Sequence, residues 1–562
     1  MSKSPLALAA ALAGGLFAQP SVKPADSFIP ILSEELDRNF AHLKAKADPA
    51  PYFISYTVVE DQSHTLSANS GALTLNNRQH NRALDVSVRV GSPKLDNYRR
   101  IRGDWPQFAS PGLLTLDDQP AAIRRRIWLD TDRTYRAASQ RFLRLKTDEQ
   151  VKAATTEAVD DFSAEEAVVF DSVPAALAYD TNEWTARLRR LSARFSKFPN
   201  VLTSNVSLNV NREIRTIVNT EGTRLRQGHN SINIFLVARA KAGDGMDLVV
   251  SESFQARDFS RLASEKEMEA AIDKAGQELT AMLRAPVVDP FVGPAILSGR
   301  AAGVFFHEIF GHRIEGHRQK DDAEGQTFTK SINKPVLPDF LSVIFDPTRE
   351  SIGKIDLNGH YIYDDEAVKG RSLTLVENGV LKTFLLSRSP VVGFAKSNGH
   401  GRKQLGGEAS SRQSNLIVES SKSVSEEKLR ELLRDELKKQ NKPYGLYFRE
   451  VTGGYTTTGR RGLQAYTVIP LVVFRVYADG RADELVRGAD IVGTPLTSFS
   501  KILATSDKVD VFNGICGAES GSVPVSAVSP SILISEIEVQ RKEQSRDRPP
   551  LLSPPSSVKG GR

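Results

Sequence analysis

The feature that most constrains this chain is a period of two. From Tyr52 onward, long stretches alternate apolar and polar residues: YFISYTVVE, HTLSANSGALTLNN, ALDVSVRVG and, further on, VLTSNVSLNVNREIRTIVNTEGTRLRQGHNSINIFLVARAKAG. Alternation commits a segment to strands with one buried face, and the Asn, Ser and Gly residues between runs supply turns. The first three runs predict successive antiparallel strands, and the long stretch predicts a second meander turning at Glu221-Gly222 and at Gly228. Helical spacing interleaves with these over residues 27–47, 121–145, 180–195 and 264–283, the last opening on a capping box of Ser264 and Glu267. Pro286, Pro290, Gly293 and Pro294 then interrupt the pattern and mark the main domain boundary.

Beyond a histidine-rich helix come short strand-like segments, FLSVIFD, SLTLVENGVLKTFLLS, SNLIVES, AYTVIPLVVFRVYADGRADELVRGADIVG and SILISEIEVQ, broken by one amphipathic helix over residues 425–440. Asn378-Gly379 and Asp479-Gly480 sit between apolar runs as hairpin turns. The fold class is therefore α+β. An N-terminal α/β domain with an antiparallel sheet and helices is expected over residues 24–288. A mostly-β C-terminal domain, a curved or barrel-like sheet carrying the histidine helix, is expected over 289–541, and 542–562 lack any core-forming pattern. Residues 1–18 read as a signal peptide cut after Ala18, which implies an exported, periplasmic or secreted protein; without processing the alternative is cytoplasmic. The apolar run Leu6 to Phe17 is short for a bilayer and no later stretch is longer, so no stable membrane insertion is expected.

Composition removes one function class. The net charge of +6 and pI near 9.1 arise from 74 basic and 68 acidic residues mixed along the chain. Without a basic stripe interleaved with aromatics, nucleic-acid binding is not expected. A single cysteine, Cys516, forms no internal disulfide and is a packing residue, an intermolecular partner or a metal ligand.

The chemistry concentrates in residues 303–321, GVFFHEIFGHRIEGHRQKD, where His307, His312 and His317 stand beside Glu308 and Glu315. Neutral imidazoles with a carboxylate next to an apolar run are what a zinc site with a general base requires. His307 and His312 are five apart, however, which on a regular helix separates them by about 140°. Either the pair is not a metal site or the helix is distorted, and Gly311 favours a bulge or break between them. His312 with His317, and Glu308 with His312, are competing pairs, and hydrated histidines on a surface helix satisfy the spacing equally well. Cys516, in NGICGAESG, is a third ligand by chemistry and a buried packing residue by frequency; spacing does not choose.

The segment His307-Glu308-Ile309-Phe310-Gly311-His312, followed by Glu315-Gly316, resembles the H-E-x-x-x-H signature of the TldD/PmbA metallopeptidases. Gly514-Ile515-Cys516-Gly517 with Val523-Pro524-Val525 and Pro530 does so too, and Asp364-Asp365-Glu366, Val376 to Leu381, Arg412 to Asn415 and Arg487-Gly488-Ala489 follow the family's order. The resemblance runs from about Asn200 to Val539. It implies a Zn2+ ion ligated by His307, His312 and Cys516, with Glu308 as general base. It further implies peptide or unfolded protein substrates, and a homodimer or a heterodimer with a PmbA-like subunit. His317 has no counterpart as a ligand, and residues 95–173 exceed the family's plan. The expected activity is metal-assisted peptide hydrolysis, with Arg412 or His360 as candidate oxyanion donors and a β-edge pairing with the substrate backbone. The alternative is a non-catalytic scaffold subunit of a TldD/PmbA-type dimer.

Overall fold

The computed structural model describes residues 28–100, 111–151, 159–462, 464–494, 498–542, 547–550 and 552. The expected signal segment and most of the expected tail lie outside these residues. No described helix is long and apolar enough to cross a membrane.

The fold is α+β, as the sequence predicts. An eight-stranded, largely antiparallel sheet is built from the N-terminal half, its single parallel pair joining Val169–Ser172 to Arg224–Lys241. Two long hairpins make its centre. Pro51–Asn69 returns as Ala72–Ser92 through Ser70 and Gly71, both at positive φ, and Thr203–Asn219 returns as Arg224–Lys241 around Gly222. Three strands were expected between Tyr52 and Gly91, yet the first strand runs unbroken. Its second edge pairs with Thr203–Asn219 from Ser55 to Ala68, so the polar residues of its middle stay in the ladder. Gly228 is likewise no turn. It lies within the strand opposite Ile214, where a Cβ would press on the Glu213 carbonyl. The helix Glu265–Met282 does open on the reciprocal Ser264 and Glu267 cap, and it buries Met268, Ile272, Ala275, Leu279 and Met282 on this sheet.

The C-terminal half forms a twelve-stranded mixed sheet around one long strand, Gly521–Arg541. That strand pairs antiparallel with Ile502–Ala518, Ala489–Gly493 and Phe291–Leu297, and parallel with Asn415–Ser420. Asn378 and Gly379 both take positive φ in the two-residue turn between Leu373–Glu377 and Val380–Leu381, as an Asn-Gly hairpin demands. The helix Gly299–Ile309 lies against the central strand, with Phe305, Phe306 and Ile309 in the main core. Gly303 permits the approach, since a Cβ there would touch Ala527 at 3.1 Å. Ser298 caps the helix, accepting from the Ala301 N–H and donating to the Arg449 carbonyl at 2.7 Å.

The two sheets meet through charged pairs. Lys403 Nζ lies 2.6 Å from Asp85, Arg388 lies 2.7 Å from Glu221, and Arg215 pairs with Asp365. Beneath this layer His400 is fully buried, with Nδ1 3.3 Å from the Asn398 carbonyl and Nε2 3.1 Å from Ser414 Oγ. Burial pushes its imidazole down to about 3. The folded chain thus resists a proton that the unfolded chain accepts near 6.5, so stability falls as pH drops below 6.5 and is indifferent to this group above it. Urea midpoints measured at pH 7 and pH 5 should show this loss, and His400→Gln should show a smaller one.

Candidate metal centre

The helix that carries His307 and Glu308 stops where the five-residue spacing requires it to. Gly299–Ile309 ends at Phe310, with φ −109° and ψ −55°, and a 3-10 turn follows over Gly311–Ile314. Arg313 folds back to close the helix end. Its Nη1 donates to the Glu308 and Ile309 carbonyls at 3.0 and 3.3 Å and to Thr456 Oγ1 at 3.0 Å. The break turns the two histidines together, with ring centres 5.0 Å apart and planes at 82°. Gly311 contributes differently from the expectation. It does not use the left-handed region; instead a Cβ there would overlap the side-chain amide of Gln413, whose Nε2 donates to the His307 carbonyl at 3.2 Å.

Cys516 arrives from the strand Ile502–Ala518. Its Sγ lies 3.3 Å from His307 Nε2 and 3.4 Å from His312 Nε2, and the three ligand atoms fall within 4.8 Å of one another. All three residues are buried. Burial alone would push the thiol up, but the His312 and His307 imidazoles outweigh it and hold Cys516 well below its usual value. The other face of His312 is fixed by Glu315, whose Oε2 is 3.2 Å from Nδ1. Glu315 is completely buried; His312 and Arg318 overcome that burial and bring its carboxyl down to about 2. Glu308 sits beside the trio, with its carboxylate 3.9 Å from His312 Nε2 and Gly454 packed on its stem. Burial raises its affinity for a proton, the setting a general acid or base needs.

Glu308 and the trio open on a cavity of about 580 Å³. One wall is Thr452–Gly459 and the other Phe512–Glu519, with Arg318 and Glu324 at one end and Tyr455 and Ile515 exposed. Neither Arg412 nor His360 lines it. His317 stands apart from the trio, paired with Glu519. It groups with Glu315 and Glu519, but Arg318 reaches both carboxylates, at 2.8 and 2.9 Å, and already supplies the positive charge there. The roles of Arg318 and Glu519 carry no sequence signal of their own, and Gln413 is marked only by the motif around Arg412, for their roles follow from how distant loops pack.

Residues 292–541 match the family described as the PmbA/TldA metallopeptidase C-terminal domain. This part of the chain is thus similar to the C-terminal domain of the TldD/PmbA metallopeptidases. A metalloprotease of Methanocaldococcus jannaschii is 29% identical over 233 residues, 41% of this chain and 47% of that protein. A zinc metalloprotease TldD homolog of Saccharolobus solfataricus is 26% identical over 253 residues, 44% of this chain and 51% of its own. The matches thus span about half the length of these curated relatives. In fold, the chain is similar to TldE from Thermococcus kodakarensis, with a TM-score of 0.61 at 14% identity, covering 91% of this chain and 99% of that one. Within the matched region, the place of Gly311 against Gln413 is open to test. Gly311→Ala should cost about 1–3 kcal/mol in urea unfolding, and the further change Gln413→Ala should recover part of it.

Proposed function

We propose that this chain is a zinc-dependent peptidase in which His307, His312 and Cys516 hold the ion and Glu308 is the general base. The observation that carries this reading is the convergence of Sγ and two Nε2 atoms beside a buried carboxylate on one cavity wall. The donor set fits zinc. A thiolate and two imidazoles are its usual partners, three protein ligands leave a position for water, and Glu315 on Nδ1 commits the Nε2 lone pair of His312 to the ion. When bound, zinc would supply an acidified water and a Lewis acid for the scissile carbonyl.

The chain's own residues supply the rest. Glu308, its proton affinity raised by burial, takes a proton from the attacking water and returns it to the leaving amine. Only Leu446–Phe448 of the second edge of Tyr444–Thr456 is paired among the described strands, by Phe291–Leu297. The free backbone from Glu450 to Thr456 therefore suits an extended peptide or unfolded segment, read with weak sequence preference. Exposed Tyr455 and Ile515 at the cavity, together with the likeness to TldE, support a dimer, either of two copies or with a PmbA-like subunit. The domain division near residue 288, and export of the processed chain, belong to the same reading.

Metal analysis of the purified chain should find about one zinc per chain, lost in Cys516→Ser. Glu308→Gln should keep the zinc and lose about 10²–10⁴-fold in cleavage of a mixed peptide pool followed by mass spectrometry. Normal turnover by that variant would remove Glu308 from its role. Zinc binding by the unaltered chain without any cleavage would leave the scaffold role in its place.

A further inference from the structure

Arg412 is one of the largest fully buried side chains in the molecule, and its charge is spent on a single neighbourhood. Its Nη2 donates to the Cys516 carbonyl at 2.7 Å, while Nη1 donates to Ser520 Oγ at 2.7 Å and to the Gly521 carbonyl at 2.8 Å. These three groups define the turn through which the Cys516 strand doubles back. The remaining nitrogen, Nε, faces Glu315 Oε1 at 3.6 Å, and among the described residues neither atom has a hydrogen-bond partner. Glu315 in turn grips His312 through its other oxygen. The adjacent residue, Gln413, holds the His307 carbonyl.

We propose that Arg412 is a positioning residue for the metal-binding trio: one guanidinium fixes the Cys516 backbone and, through Glu315, the ring of His312. This rests on the metal-centre reading above. The planar fork matters because its nitrogens point along fixed directions, toward the turn on one side and the carboxylate on the other. A lysine places a single charged nitrogen and engages one of these at a time. Methionine fills the volume and engages neither, leaving Glu315 with less countercharge.

The test compares Arg412→Lys and Arg412→Met with Arg388→Met in the full chain. Arg388 is the fitting control, being 2% exposed and bound to Glu221 and the Ser163 carbonyl away from the trio. Zinc affinity, measured by competition with a chromophoric chelator, should weaken about 10–100-fold in both Arg412 variants. It should stay within about twofold of the unaltered chain in Arg388→Met. Cobalt-loaded protein should show an altered thiolate-to-metal absorption band only in the Arg412 variants. If Arg412→Met does not fold, the lysine variant carries the comparison. Unchanged affinity and an unchanged band, or equal losses in the Arg388 control, would overturn the proposal. Should the unaltered chain bind neither metal, the peptidase reading falls by itself. The positioning of Cys516 is then read in the metal-free chain, where Arg412→Lys should alkylate faster with iodoacetamide; an equal rate would refute it.

Discussion

Glu315 has no exposed surface, and a carboxylate in that position is tolerable only because His312, Arg318 and Arg412 surround it. Removing an ion from water costs several kcal/mol, so each neighbour of such a charge is held as firmly as the charge itself. The rest of the site hangs from that constraint. The helix must break before Gly311 so that His312 can reach Glu315 and still share Cys516 with His307. Arg318 must lie inward, which places Glu519 and Glu324 at the cavity end. Removing any one member strands the others, a larger penalty than the loss of a single hydrogen bond.

Much of this was legible in the residues and some of it was not. Period-two alternation announced the N-terminal sheet and short strand-like segments the C-terminal one, and the capping box at Ser264 and the Asn378-Gly379 turn were readable because each is a local device whose partners lie within three residues. The distortion between His307 and His312 was also readable, since helical geometry forbids the shared site otherwise. What failed had a common cause. Gly228 was read as a turn and Gly311 as a relaxed backbone position, whereas each makes room for an atom of another segment, the Glu213 carbonyl in one case and the Gln413 side chain in the other. The number of strands between Tyr52 and Gly91 failed similarly, because a neighbouring strand overrode local polarity. Arg412 was recognisable as important through its motif, yet its place behind His307, His312 and Cys516 rather than in the cavity depends on the fold alone.

The electrostatic arrangement separates two carboxylates by environment. Glu315 is ringed by cations and stays ionised, a fixed counterion. Glu308, buried but facing the cavity, is left with a raised proton affinity. Two glutamates seven residues apart in one segment are thereby suited to opposite tasks, one to hold a ring and the other to exchange a proton. The break in the helix produces this division, because it sends one carboxylate outward to the cavity and the other back into the protein.

The separation of Cys516 from His312 by 204 residues has a consequence for how the chain matures. Both histidines leave the ribosome long before the thiol, and the thiol comes into place only when Ile502–Ala518 pairs with Gly521–Arg541, the strand on which the histidine helix rests. That hairpin is itself local, but its docking against the histidine helix, 204 residues away in sequence, is long-range and slow compared with local helix formation. The complete trio is therefore one of the last things the nascent chain acquires. A polypeptide truncated or stalled short of its final hairpin carries two histidines and no thiol to join them.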